Sequence, residues 1–368
     1  MAHDGIDLIV TRNDLSQTQI VKSSFPDPLP KGSCLLAIDS FALTANNITY
    51  GVAADMLRYW EFFPTGDDTT GRIPVWGFAD VVASAHPQVA VGTRVYGYPP
   101  MSTHVLIYPD QVSPVGFMDG VAHRAGLSPI YNHYALTSAD AQWSPQGEAM
   151  ISLFRPLFTT SFLLEDLHRE NDYFGAQTII LSSASSKTAI GLAHLLSRAR
   201  PDGLRVVGLT SAGNRDFVEN LGCYDLVLGY EDLDLDKLPV GPAAYVDMAG
   251  NAELRRQVHM RLGDALKSSR AVGMTHWQAS GGLSGEDLPG ARPAFFFAPS
   301  YAQERLAALG RAAFQARLDA AWSDFIGQAE QWITVTEFRG PSSVQARFKA
   351  SQRGEISPRE GHILSLRD

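Results

Sequence analysis

Cysteine is nearly missing from this chain. There are two among 368 residues, Cys34 and Cys223, far apart and in unlike contexts. They exclude a disulfide framework and a thiolate metal cluster. No stretch approaches 18 consecutive apolar residues, which argues against a membrane-spanning helix. The opening MAHDGIDLIV lacks a basic segment followed by an apolar run, so a reduced, cytoplasmic protein is the expectation. Clustered Lys and Arg are also absent, and the net charge is −9. Nucleic acid and anionic membrane, which both reward basic patches, are therefore not expected partners. Histidines are dispersed, without H-E-x-x-H or His-x-His, so no metal site is expected. The one run of acids, 231–236, reads as a solvated loop.

What is present is an ordinary globular balance, 45% hydrophobic and 19% charged, in a chain long enough for two domains. Residues 1 to about 115 read as β-rich. Short strands at 33–39, 79–84, 93–98 and 103–107 are separated by Pro and Gly turns, the pattern of a small barrel-like domain. Between them 46–63 is aromatic and irregular. A helix is expected over 149–168. Apolar runs then alternate with helices: strands at 177–182, 204–210, 225–228, 243–248 and 270–274, helices at 187–199, 213–221 and 252–267. Such alternation means a parallel, doubly wound sheet. A strand at 294–298 reads as its edge. A long helical segment at 301–329, a strand at 332–338, a Gly340-Pro341 turn and a tail ending in Ile363-Leu364-Ser365-Leu366 complete the chain.

Residues 176–211 form a βαβ unit whose turn is short of glycine. A dinucleotide fold places G-x-G-x-x-G there, but this chain has Ser182-Ser183-Ala184-Ser185-Ser186-Lys187-Thr188 and only then Gly191. Ser185, Ser186, Lys187 and Thr188 are candidates to contact cofactor phosphates through hydroxyls, an ammonium and the helix N-terminus. The competing reading is a capped helix start with a solvated lysine. A phosphate-binding P-loop would need Gly at 181 and 186, where Leu181 and Ser186 stand. Position 184 is Ala, so a Ser-x-x-Lys nucleophile fails, and no G-x-S-x-G occurs. The second strand ends without an acid to accept from a ribose 2′-hydroxyl. Ser211, Asn214 and Arg215 suit a 2′-phosphate instead, so NADP(H) is expected over NAD(H). Ser211 and Asn214 could equally be helix caps.

The order of segments resembles the medium-chain dehydrogenase/reductase superfamily. The resemblance rests on KGSCLLAIDSFALTANNITYG at 31–51, IPVWGFADVVAS at 73–84, VGTRVYGY at 91–98, THVLIYPDQVSPV at 103–115, and AAYVDMAGN at 243–251 followed by SSRAVGMTHW at 268–277. ANNITYG with YWEFFP is similar to a poorly characterised branch. The resemblance implies a GroES-like β-barrel domain at 1–125 and 310–368, a Rossmann domain at 126–309, and a homodimer. Where zinc-dependent members carry ligands, this chain reads FALTANN and VWGFAD, so the closer likeness is to zinc-free quinone and enoyl reductases.

That likeness implies a zinc-independent, NADPH-dependent reductase of a small-molecule substrate with an activated C=C or C=O. It places Asn46 and Asn47 near the nicotinamide and Tyr50, or Tyr59, as the acid. Thr49 is a further donor, and Trp60, Phe62 and Phe63 would wall an apolar pocket. All of these could instead be core. Other open readings are a dinucleotide-binding sensor or scaffold without redox catalysis, and non-redox acid-base chemistry. Arg155, in an apolar stretch, needs an acidic partner or an anionic ligand, and an ion pair is the expectation. His133 is expected to be structural.

Overall fold

The computed structural model describes residues 3–230, 237–238, 240–272 and 288–368. The acidic run at 231–236 and the end of the 268–277 segment lie outside the described residues. The chain divides into two compact units, Met1–Leu153 with Thr334–Asp368, and Phe154–Ile333.

In the first unit, Cys34–Leu43 is buried at most positions because it is paired on both edges. It runs antiparallel to Gly77–Ser84 and to His104–Ile107. The C-terminal strand Glu360–Ser365 also joins it, with Leu364 opposite Phe41. The C-terminal strand thus lies in the same sheet as Cys34–Leu43. A separate three-stranded sheet holds His3–Thr11, Asp14–Phe25 and Thr70–Arg72.

The boundaries differ from the expected 125 and 310. His133–Leu136 pairs with both Gly116–Asp119 and Arg94–Gly97, which carries the first segment past 125. Arg94 also bonds Glu148, at 2.7 Å from Nε. At the other end, the Arg311–Trp332 helix buries Phe314 on Phe162, Trp322 on Phe158 and Phe325 on Phe154, so its apolar face belongs to the second unit. Three further expectations change. Residues 45–52 form a helix rather than irregular chain. Pro341–Gln352 is helical, with Pro341 at the first turn and Val344 and Phe348 buried four residues apart. The 301–329 segment is two helices, Ala298–Leu309 and Arg311–Trp332.

Among the described residues the second unit holds a six-stranded sheet: Thr178–Leu181, Arg205–Thr210, Leu226–Gly229, Ala243–Asp247, Leu266–Ala271 and Pro293–Phe295. All neighbours are parallel. Numbered within the unit, the spatial order is 3-2-1-4-5-6, the doubly wound arrangement in which dinucleotides bind beyond the carboxyl ends of the strands. The fifth strand begins at Leu266, four residues before the expected start at 270, and positions 273 and 274 of that expectation lie outside the described residues. The switch point lies between Thr178–Leu181 and Ala243–Asp247. There the Ser182 hydroxyl donates to Asp247 at 2.9 Å and accepts from the Met248 and Ala249 amides, both at 3.0 Å. Burial raises the Asp247 pKa, opposed by Ser182, the Gly250 amide and Arg255.

Candidate functional site

The turn after Leu181 is built without glycine, yet keeps a glycine-like bend. Ser183 takes a left-handed conformation, φ 49°. Its amide donates to the Tyr230 hydroxyl at 2.7 Å. The Ala184 amide donates to the Leu209 carbonyl, holding the turn on the second strand. Ser186 caps the Lys187–Ala199 helix by accepting from the Ala189 amide at 3.3 Å. Its hydroxyl lies 3.9 Å from the Met248 sulfur. Lys187 and Thr188 form the first helical turn and are half-buried.

Three expected residues converge. Asn214 Nδ2 donates to Ser185 Oγ at 3.3 Å and to Ser211 Oγ at 3.0 Å. Thr210, buried at the strand end, donates weakly to the same Ser185 oxygen at 3.5 Å. The Ser185 oxygen is therefore an acceptor within the cluster, and its own hydrogen can serve a further acceptor. Arg215 stands apart from this trio, in an exposed pair with Glu219 at 2.9 Å. Thr210 and Tyr230 were not anticipated; only their positions at the ends of apolar runs pointed to them.

Gly191 is the one glycine the turn retains, and packing explains it. A Cβ there would stand 2.7 Å from Ser161 Oγ and 3.1 Å from Ser161 Cβ. That serine donates to the Thr188 carbonyl at 2.7 Å, clamping the first helical turn.

In the first unit, the Ala45–Val52 helix begins at Thr44. Asn47 reaches back so that its Oδ1 accepts the Thr44 amide at 2.8 Å, while its Nδ2 donates to the Pro74 carbonyl at 3.1 Å. Both ends of that buried amide are engaged in structure. Thr49 returns its hydroxyl to the Ala45 carbonyl at 3.4 Å. Asn46 and Tyr50, four apart, share a helix face.

Tyr50 sits in a cluster of rings. Its neighbours are Tyr59 at 4.8 Å and Tyr98 at 5.4 Å between centroids. Trp76 Nε1 donates to the Tyr50 hydroxyl at 3.1 Å. Burial pushes the Tyr50 hydroxyl far above the ordinary phenol range, helped by Tyr131 and Tyr96 and opposed by the Trp76 and Asn46 donors. Tyr59 is paired instead with the Tyr131 hydroxyl at 3.1 Å, and burial raises it as well.

Phe62 stands edge-on to Tyr98 and Tyr131. Phe63 lies under the Arg124 guanidinium, 4.2 Å from its ring centre, and Trp60 has Arg12 over it at 5.6 Å. Trp60, Phe62 and Phe63 lie in the same buried core cluster as Tyr50 and Tyr59. Trp76, Tyr98 and Tyr131 join the cluster from positions 26 to 81 residues along, and the sequence offered no local sign of it. Arg155 lies over the Trp322 ring at 5.7 Å. Among the described residues no three His, Cys, Asp or Glu side chains gather as a metal site, and no helix is long and apolar enough to cross a membrane.

The family model described as "Protein of unknown function (DUF2855)" matches residues 41–357. The chain belongs to this family. DUF2855 membership spans both units and so covers the helix bearing Tyr50 and the serine turn alike. No curated protein matches the sequence. Among solved structures, CurA from Vibrio vulnificus is 14% identical, with a TM-score of 0.66 over 99% of each chain. TarJ from S. aureus, solved in complex with NADPH, is 11% identical, with a TM-score of 0.55 over 99% of each chain. The quinone oxidoreductase from Coxiella burnetii is 12% identical, with a TM-score of 0.54 over 99% of this chain and 100% of its own. At these identities the likeness is one of fold. This DUF2855 protein has the α/β architecture of those oxidoreductases, a GroES-like domain and a Rossmann domain.

Proposed function

We propose that this protein is a zinc-independent, NADPH-dependent reductase of a small molecule with an activated C=C or C=O bond. The observation that carries the reading is the Ser185–Asn214–Ser211 cluster beyond the carboxyl ends of the first two strands of a 3-2-1-4-5-6 sheet. Hydroxyls whose oxygens already accept from Asn214 are left to donate, which is what a 2′-phosphate requires. No carboxylate ends the second strand to favour NAD(H). Ser185, Ser211 and Asn214 would hold the phosphorylated ribose, and the Lys187–Ala199 helix start with Lys187 would face the pyrophosphate. CurA from Vibrio vulnificus and TarJ from S. aureus have both been solved with NADPH.

NADPH supplies a hydride when bound. The chain's own task is to deliver a proton, or to hold the developing oxyanion, and Tyr50 is the residue assigned to it. Burial raises the pKa of its hydroxyl and so favours the neutral, proton-donating form. Tyr59, tied to Tyr131, is the second candidate. Zinc independence rests on FALTANN and VWGFAD, which present no thiolate or imidazole. A cytoplasmic homodimer accompanies this reading.

The test is NADPH oxidation against enones, enoyl thioesters, quinones and aldehydes, after binding is measured. Turnover of any class supports the reductase. Tight NADPH binding without turnover of any of them would instead indicate a sensor or scaffold.

A further inference from the structure

Trp76 does something for Tyr50 that packing alone does not require. The indole has a single polar hydrogen and no acceptor, so a contact between Trp76 Nε1 and the Tyr50 oxygen has only one possible sense. Trp76 donates and Tyr50 accepts, at 3.1 Å. The Tyr50 hydrogen must then point elsewhere, and the hydroxyl is oriented as a donor away from the indole.

Trp76 is itself well placed to hold that direction. Its ring stacks on Tyr96 at 5.7 Å and leans on Tyr98 at 4.9 Å and Tyr131 at 6.1 Å. Its carbonyl accepts the Ala42 amide at 3.0 Å, and two residues earlier Asn47 holds the Pro74 carbonyl. The segment bearing the indole is thus bonded both to the strand before the Tyr50 helix and to the helix itself. Facing Tyr50 are the Asn46 amide on its own helix and, from the elements packed against it, the phenols of Tyr59, Tyr96, Tyr98 and Tyr131; none of these carries a charge.

We propose that Trp76 is a positioning residue for the reduction, aiming the Tyr50 proton at the substrate and stabilising the negative charge that Tyr50 takes up as the proton leaves. This rests on the reading of Tyr50 as donor given above. In that step the Tyr50 O–H bond breaks and its proton bonds to the substrate atom that gains electron density. Bound NADPH would supply the two electrons as hydride, and solvent would return a proton to the phenolate. A hydrogen bond from indole to oxygen strengthens as the oxygen becomes negative, so its benefit falls on the transition state rather than on binding.

Site-specific replacement of the Trp76 indole by a benzothiophene keeps the shape and removes the N–H. With the best substrate of the panel, kcat should fall about tenfold, the size of one net hydrogen bond. KM should stay within about twofold, and the solvent deuterium isotope effect should rise as proton delivery becomes more limiting. NADPH affinity, read by calorimetry, should not move. Unchanged kcat and isotope effect, with Tyr50→Phe still impaired, would overturn the role of Trp76 and leave Tyr50 as donor. Full activity in Tyr50→Phe would overturn both. The contact can also be checked without turnover. The Trp76 indole N–H proton resonance should shift in Tyr50→Phe, and an unmoved resonance would refute the hydrogen bond.

Discussion

Gly191→Ala should destabilise the second unit, although alanine is the better helix former. Alone, the change would gain about 1 kcal/mol of helix propensity. Against this, the new methyl meets Ser161 Oγ at 2.7 Å, Ser161 Cβ at 3.1 Å and Phe158 Cδ2 at 3.3 Å. Ser161 is fully buried and bonds the Leu157 and Thr188 carbonyls at 3.0 and 2.7 Å. It can escape only by giving up a bond that anchors the first turn of the Lys187–Ala199 helix. Overpacking costs about 1–3 kcal/mol, and the lost buried hydrogen bond adds about 1 kcal/mol. The net expectation is a loss of about 1–3 kcal/mol, concentrated at the serine turn. Urea unfolding followed by circular dichroism gives the magnitude, and hydrogen exchange of the 187–199 peptide gives the location. Ser161→Ala in the same chain removes the struck oxygen, so the double variant should recover at least about 1 kcal/mol relative to additivity. A neutral or stabilised single variant, or strict additivity, would refute this account of why the glycine is there.

Three other outcomes are expected. Asn47→Ala should cost about 1–2 kcal/mol of stability through the lost helix start and the stranded Pro74 carbonyl; turnover per folded molecule should stay within a few-fold, whereas abolished turnover in fully folded protein would return Asn47 to the chemistry. Tyr50→Phe should lower kcat by roughly 10²-fold with NADPH affinity unchanged, and wild-type kcat should show no alkaline limb from this group below about pH 10, because burial raises its pKa. The His168 imidazole is lowered to about 4 by burial, with Arg270 adding to the effect and the Leu164 carbonyl opposing it. The unfolded chain therefore takes up this proton first, and the second unit should lose stability as pH falls from about 6.5 towards 4. His168→Leu should flatten that slope in melts recorded across the window; an unchanged slope would remove His168 from the account.

The fold was legible because its signals are local. Short, continuously buried runs such as Thr178–Leu181 and Ala243–Asp247 alternate with longer amphipathic helices, and length, flanking turn residues and the helical period together separate them. The domain boundaries were less legible. Arg311–Trp332 reads as a generic helix, and only its contacts with Phe154, Phe158 and Phe162 assign it to the second unit. The Ala45–Val52 helix was obscured by β-branched Ile48 and Thr49 and by a cap that needs Asn47 to turn back on Thr44. In the serine turn, residue types named Ser185, Ser211 and Asn214, and the structure joins them through hydrogen bonds. The tyrosine cluster could not be read in advance, since Trp76 and Tyr131 reach the hydroxyls of Tyr50 and Tyr59 only through tertiary packing of residues far apart in sequence.

Calorimetric titration of NADPH and NADH into the wild-type protein and Ser211→Asp tests the central claim most directly. Wild type should bind NADPH at least about tenfold more tightly than NADH, the effect of one or two charge-assisted hydrogen bonds. Ser211→Asp, which sets a carboxylate where the 2′-phosphate would lie, should reverse that order. Failure of the wild-type protein to bind either nucleotide would contradict the account.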